Sequence, residues 1–154
     1  MLVRMHALDY VQCPDVYVPQ GRRSLFLAGG ITKCPDWRSD LRRMLPNTPW
    51  VILNPRRPNL RMDDDAEATA QIEWEHQHLH LADAVLFWFC SETLQPITLY
   101  ELGCWSRSDK PLFVGVHPAY LRSLDVIVQT RLNRPEVQVV DSLHLLAAQV
   151  RSAA

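Results

Sequence analysis

The sequence has little that would direct the chain to a membrane, an oxidising compartment or a nucleic acid. No apolar run reaches the roughly 18 residues of a membrane span, and the first residues lack the cleavage site of a signal peptide. The four cysteines form no CxxC pair, so neither a zinc knuckle nor a disulfide framework is indicated. A net charge of -1 gives no basic surplus for a nucleic-acid polymer. We therefore expect a cytoplasmic protein with reduced thiols.

The length and composition favour one globular domain. With 154 residues, 47% of them hydrophobic, the chain can form one core and is too short for two. Residues 1–23 carry Tyr10, Pro14 and Pro19 and are interpreted as an N-terminal arm or an edge element. The domain proper is expected to cover residues 24–154.

Apolar runs alternate with helical patterns along the domain. The predicted strands are SLFLA at 24–28 and the runs WVILNP, ADAVLFWFC, KPLFVGV and EVQVV. Predicted helices cover 36–45, 67–81, PITLYELGCWSRS and DSLHLLAAQVRS. This alternation predicts a three-layer α/β sandwich with about five parallel strands. In such a sheet, ligands bind beyond the carboxyl ends of the strands, where the strand order reverses.

Two of the strand-end loops carry glycine or arginine pairs. Gly29 and Gly30 lack the spacing of a dinucleotide fingerprint or a P-loop, and they fit either a tight turn or the close approach of a ligand. Arg56 and Arg57 follow the second strand. Their guanidinium groups could hold a phosphate or a carboxylate, or could pair with the acids at 63–65.

The helix before the third strand contains the polar stretch WEHQHLH. Its His76 and His80 have a spacing that can grip a metal, but no third ligand supports them, so no metal site is expected. Trp74 stands beside Glu75. A carboxylate next to an indole at the end of a sheet can acquire a raised pKa and act as an acid.

A carboxylate also occurs inside the helix that follows the third strand. Pro96 fits the first turn of this helix, and Glu101 comes about a turn and a half later. The positive end of the helix dipole favours an ionised carboxylate, which could act as a nucleophile or stabilise an oxocarbenium ion. The alternatives are a salt bridge to Arg107 or Lys110, or simple solvation.

Several of these stretches occur together in a known family. FLAGGI, DWR, LNPRR, QIEWEHQHLHLADAVLFWF and SETLQPITLYELG, in this order over about residues 24–128, resemble the nucleoside 2-deoxyribosyltransferase-like family. The resemblance implies a flavodoxin-like or Rossmann-like sheet in a homodimer or larger homo-oligomer. It also implies cleavage of the N-glycosidic bond of a (deoxy)nucleoside or nucleoside 5'-monophosphate, with transfer of the sugar to another base or to water. No cofactor is expected.

The resemblance assigns catalytic roles by position. Glu101 matches the nucleophile that attacks C1' of the sugar and forms a covalent glycosyl-enzyme. Glu75 matches a carboxylate that holds and protonates the departing base. Gln95 stands where the family has a further acid, and a side-chain amide has no acidic proton to give to the base. This departure leaves base protonation to Glu75.

The remaining candidate residues concern substrate binding. The resemblance places the two glycines in a loop that lines the sugar and base, with nearby aromatic side chains as a wall, although Trp37 fits the core equally well. A neighbouring subunit is expected to complete the sugar site from the stretch AYLRSLDV. The substrate-binding candidates are Phe26, Gly29, Gly30, Trp37, Arg56, Arg57, Trp74, Gln95, Arg122 and Asp125.

Two other function classes stay open. A non-catalytic nucleotide-binding or signalling module would keep the fold without turnover, and Gln95 in place of an acid is its best support. In a purely structural oligomer, Glu101 would be a surface charge only.

Overall fold

The computed structural model describes residues 9–153, in which strands alternate with helices. None of the helices in this range is long and apolar enough to cross a membrane. The strands are β1 (Tyr10–Gln12), β2 (Ser24–Gly29), β3 (Val51–Asn54), β4 (Ala84–Phe89) and β5 (Leu112–Val116). The helices are α1 (Trp37–Arg43), α2 (Asp65–Leu81), α3 (Pro96–Trp105), α4 (Ser123–Asn133) and α5 (Leu143–Ser152).

The five strands form one parallel sheet in the order β1-β3-β2-β4-β5. This confirms the predicted α/β sandwich. The central strand β4 is buried along its whole length, as expected of a strand covered on both faces. The chain passes from β2 to β3 on one side and then crosses to β4 on the other, so the order reverses between β2 and β4. A crevice at their carboxyl ends is the expected ligand site.

The identity of the fifth strand differs from the prediction. The stretch EVQVV contributes only an isolated bridge between Val140 and Gly115 and does not form a strand. The fifth strand is β1, which comes from the segment interpreted as an arm or edge element and pairs with β3. Three residues are too few to show a strand pattern. Helix α4 was not predicted, because it buries little more than Val126 and Thr130 and so lacks a wide apolar stripe.

Apolar side chains cover both faces of the sheet. On one face, α2, α3 and α4 pack on the sheet through Trp74, Leu102 and Val126. On the other face, α1 and α5 do so through Leu41 and Leu146. Full burial of such side chains stabilises the fold by about 1.5–3 kcal/mol each. Helices α2 and α3 therefore belong to the same layer.

Candidate functional site

The glycine turn, residues 29–30, ends β2 in a crowded position. A Cβ atom at Gly29 would lie 2.5 Å from a ring carbon of Trp37 and 2.5 Å from the Trp88 carbonyl oxygen. A Cβ atom at Gly30 would collide with the Sγ atom of Cys34. Both glycines are therefore needed for close packing of the protein on itself. They also line a cavity, so the two interpretations of the turn are compatible.

Gln95 joins this turn to the start of α3. Its Oε1 atom accepts a hydrogen bond from the Gly30 backbone N–H at 3.0 Å. Its Nε2 atom donates to the carbonyls of Cys90 (2.9 Å) and Thr93 (3.0 Å). The residue is buried and has a left-handed backbone, with φ at 52°. A carboxylate could not make the two donations, so the amide at this position fits its surroundings better than an acid would.

Glu101 lies in the middle of α3, and its side chain lines a groove between α3 and α2. Its Oε2 atom is buried and has no hydrogen-bond partner among the described residues. Within residues 9–153 no cation lies within ion-pair distance of it. The salt bridge to Lys110 is absent there, because the Nζ atom donates to the carbonyls of Leu79 and His80.

The pKa of Glu101 is shifted in the direction opposite to the one expected from the helix dipole. Burial raises its pKa to about 8; the charge of Glu75 adds to the rise and the Arg38 guanidinium opposes it. We expected the helix dipole to keep the carboxylate ionised. Glu101 is the sixth residue of α3, and the dipole acts mainly within the first turn. Desolvation therefore outweighs it.

Glu75 faces the same groove from α2. Its Oε1 atom accepts a hydrogen bond of 2.9 Å from Gln71, which also donates to the Pro55 carbonyl at 2.7 Å. Burial raises the pKa of Glu75, while the bond from Gln71 and the charge of Arg38 lower it. Two largely buried carboxylates thus line the same cavity and interact electrostatically, and carboxylates so placed titrate as a pair.

A cavity of about 980 Å³ runs between α2 and α3 from the glycine turn. Its volume lies at the upper end of the range for small-molecule sites. Glu75, Gln95 and Glu101 line it, and most of the remaining wall is apolar, including Leu60, Met62, Leu79, Leu94, Ile97 and Trp105. An apolar wall strengthens the electrostatic action of the few polar groups inside.

The three aromatic candidates pack in the core instead of lining the cavity. Phe26 and Trp74 contact each other with ring centroids 6.3 Å apart. The Trp74 indole stacks on His78 and donates to the Asp15 carbonyl at 2.8 Å. It therefore faces away from Glu75, whose raised pKa comes from burial in the groove. Trp37 supports the glycine turn by donating to the Gly30 carbonyl at 3.2 Å.

The arginine pair after β3 also lies outside the cavity lining. Arg56 pairs with Asp36 at 3.7 Å, and not with the acids at 63–65. Arg57 makes none of the ion pairs formed between described residues. Of the three acids at 63–65, Asp64 caps the N-terminus of α2 with its side chain. Neither residue belongs to the cavity lining.

Arg122 and Asp125 form an ion pair of 2.9 Å at the start of α4. Both side chains are about half exposed, and neither lines the cavity of its own chain. His76 and His80 border the cavity, with a His80 ring nitrogen 2.8 Å from the His76 carbonyl. No cluster of three metal-ligating side chains occurs within residues 9–153.

Arg38 belongs to the site and was missed at the sequence level. Trp37 and Leu41 lie on the buried face of α1, and an arginine between them would ordinarily be solvated. Arg38 is instead fully buried below the glycine turn. The available signal was its place in the DWR motif. Cys34 and Cys90 also meet there, with sulfur atoms 2.9 Å apart.

Comparison with known proteins places these features in context. A family model described as "Nucleoside 2-deoxyribosyltransferase like" matches residues 22–120. The matched part contains β2 to β5 and every residue that lines the cavity. No curated protein matches the chain.

Proposed function

Since the chain belongs to the nucleoside 2-deoxyribosyltransferase-like family, we propose that it cleaves the N-glycosidic bond of a (deoxy)nucleoside or nucleoside 5'-monophosphate. The sugar is transferred to another base or to water. One observation carries this proposal: the Glu101 carboxylate is buried in the cavity with an unpartnered oxygen and no cation at ion-pair distance in the described chain. Such a group costs stability, and pKa values perturbed in this way cluster at functional sites.

In the proposed first step, Glu101 attacks C1' of the sugar. A bond forms between a carboxylate oxygen and C1', and the electron pair of the C1'–N bond moves to the base. Glu75 donates its proton to the base nitrogen, so the base departs neutral. The product is a glycosyl ester on Glu101.

The second step reverses these roles. Water or a second base attacks C1', Glu75 takes the proton from the attacking atom, and the ester bond to Glu101 breaks. Each turnover therefore returns Glu101 as a carboxylate and Glu75 as an acid.

The two steps require one proton on the carboxylate pair, held by Glu75. Burial raises the pKa of both groups, so a single proton at neutral pH is consistent with their surroundings. Because the two groups interact, either can hold this proton in the free protein. The reactive form is the one with Glu101 ionised.

The placement of the arginines favours an unphosphorylated nucleoside. Arg56 and Arg57 do not line the cavity, and Arg107 is the one Lys or Arg side chain in the lining that the structure describes. We propose a nucleoside as the preferred substrate.

We also propose that the protein works as a homo-oligomer. Ile72, Ile97 and Tyr100 border the cavity and are more than half exposed, and exposed apolar side chains grouped in this way are typical of interfaces. A neighbouring copy would supply Arg122 and Asp125. Light scattering after size exclusion tests the assembly.

Base release tests the proposed reaction. The protein is incubated with deoxynucleosides, ribonucleosides and their 5'-monophosphates, with and without free adenine, and liberated base is measured by chromatography. We expect base release by wild type, loss of it in Glu101→Ala, and little change in Glu73→Gln, whose side chain is exposed on α2. Exchange with adenine identifies a transferase.

Mass spectrometry adds a test of the intermediate. Acid quenching during turnover should give a peptide containing Glu101 heavier by one sugar. Absence of base release from every substrate, together with binding of one of them, would favour the non-catalytic nucleotide-binding module.

A further inference from the structure

Arg38 is a buried cation without a carboxylate partner. Its side chain is fully inaccessible, and in the described chain no carboxylate lies within ion-pair distance of it. Arginine is almost never fully buried unless it is paired. The partners that replace an ion pair here therefore call for an explanation.

Those partners are all main-chain carbonyls at the end of β2. The guanidinium donates to the carbonyls of Leu27 (3.2 and 3.1 Å), Gly29 (2.9 Å) and Gly30 (3.0 Å). Four of its five N–H groups are used in this way. The fork of Arg38 thus holds the glycine turn from the side opposite Gln95, which binds the Gly30 N–H.

In the described chain, carboxylates act on Arg38 from beyond ion-pair distance. Burial lowers the pKa of Arg38 to about 10, and the charges of Glu75 and Glu101 are the main influences that raise it. Arg38 consequently remains a cation at neutral pH. Arg38 bonds the carbonyls of the glycine turn that lines the cavity of Glu75 and Glu101, and its charge partly compensates theirs.

The other charged groups near Arg38 largely cancel. Asp36 precedes α1 and Arg56 follows β3, and these two pair with each other at 3.7 Å. This leaves one cation, Arg38, facing Glu75 on α2 and Glu101 on α3. The three side chains together carry no net charge when one of the two carboxylates is ionised and the other is protonated.

We propose that Arg38 is a positioning residue of the site: it fixes the glycine turn through its carbonyls and supplies the charge that keeps one cavity carboxylate ionised. This inference rests on the roles proposed above for Glu75 and Glu101. Lysine could supply the charge, but its ammonium group cannot span three carbonyls as the planar fork does. The two contributions can therefore be separated by substitution.

The charge is tested by titration of the free protein. Glutamate side-chain carbons are labelled with ¹³C and followed by NMR from pH 4 to 10, and Glu75→Gln and Glu101→Gln assign the signals. In Arg38→Met we expect the pKa of the pair to rise by about one unit or more, a tenfold change in proton affinity. Arg38→Lys should shift it much less. An unchanged titration in folded Arg38→Met would overturn the charge role.

The positioning is tested by amide exchange of Gly30. Arg38→Lys keeps the charge, so we expect it to fold and to exchange the Gly30 N–H at least tenfold faster than wild type. Equal exchange rates would refute the positioning role. If Arg38→Met does not fold, Arg38→Gln replaces it in the titration, because glutamine is neutral and keeps two N–H donors.

A matched control separates charge from loss of a bond to the turn. Trp37→Phe removes the other donor to the Gly30 carbonyl without changing any charge, so it should leave the carboxylate titration unchanged. Neither measurement uses a substrate. A failed base-release assay would therefore leave this inference standing, and unchanged titration and exchange would leave the proposed reaction standing.

Discussion

The side-chain oxygen of Gln95 accepts a hydrogen bond of 3.0 Å from the backbone N–H of Gly30. The bond crosses the point where the strand order reverses, and it ties the loop after β2 to the start of α3. With Arg38 on the carbonyl side of the turn, both polar sides of Gly30 are held by side chains. The floor of the cavity is thereby fixed before any ligand enters, and preorganisation of this kind lowers the cost of binding.

Gln95→Glu tests whether the amide is required. A carboxylate would face the carbonyls of Cys90 and Thr93 with no proton to donate, so we expect the free energy of unfolding to fall by about 2–3 kcal/mol. Urea denaturation measures the loss. Gln77→Glu, an exposed change of the same kind on α2, should have little effect. A Gln95→Glu protein as stable as wild type would show that the clamp is dispensable.

Glu101→Gln should change how stability depends on pH. The folded pKa of about 8 lies above the ordinary value of 4.5, so the stability due to protonated Glu101 is complete below pH 4.5 and is lost as pH rises through 8. Glutamine cannot ionise. We therefore expect Glu101→Gln to gain about 1 kcal/mol or more over wild type at pH 9 relative to pH 6. Urea denaturation at both pH values checks this. If the free energies of unfolding of the two proteins differ by the same amount at pH 6 and pH 9, the raised pKa is contradicted.

Glu75→Gln should be rescued by a substrate that needs no acid. For a neutral purine base we expect kcat/KM to fall by about 10²–10⁴-fold, since general acid catalysis is lost. The base of 7-methylguanosine already carries a positive charge and can leave without protonation, so its cleavage should fall much less. Glu101→Gln should impair both substrates. Equal losses on the two substrates in Glu75→Gln would argue against its role as the acid.

Nucleosides should be used better than their 5'-monophosphates. Neither Arg56 nor Arg57 lines the cavity, so a phosphate would lose hydration without gaining a guanidinium partner from this pair. We expect kcat/KM for a nucleoside to exceed that for its monophosphate, with Arg56→Gln and Arg57→Gln changing the ratio little. A preference for the monophosphate that Arg57→Gln abolishes would reverse this assignment.

Two glycines allow a comparison of opposite outcomes. Gly30→Ala would drive a Cβ atom into Cys34 and to 3.0 Å from the Gln95 side chain, so we expect destabilisation of about 1–3 kcal/mol. A Cβ atom at Gly103 would meet nothing within 4 Å. In the exposed face of α3, Gly103→Ala should stabilise by about 0.5–1 kcal/mol. Thermal unfolding of both proteins checks the signs, and destabilisation by Gly103→Ala would contradict this reading.

The sheet could be predicted from sequence because its strands are apolar on both faces. A short apolar run such as AVLFWF is typical of a strand that is buried on both faces of a parallel sheet. The edge strand β1 could not be predicted, because its three residues are too few to show an alternating pattern. The stretch EVQVV alternates like a strand, yet only its Val140 pairs with a strand of the sheet. Pairing at an edge depends on tertiary geometry that a local pattern does not contain.

The candidate site was predictable only in part. The positions of Glu75 and Glu101 came from motif order, and the structure places both side chains in one cavity. The raised pKa of Glu101 was not predicted, because burial is a property of the packed helices. The burial of Arg38 was missed for the same reason, and the inward direction of Trp74 follows from its stacking on His78. Periodicity gives the face of a helix but not the depth of each residue on it.

The family match begins at residue 22 and ends at residue 120, whereas the sheet begins with β1 and one of its faces is covered by α5. A protein trimmed to the matched stretch would expose the outer edge of β3 and the apolar face under Leu146 and Val150. Exposed edges of this kind recruit other chains. The stretch that the family model matches is thus shorter than the stretch that covers the sheet on its edge and on both faces.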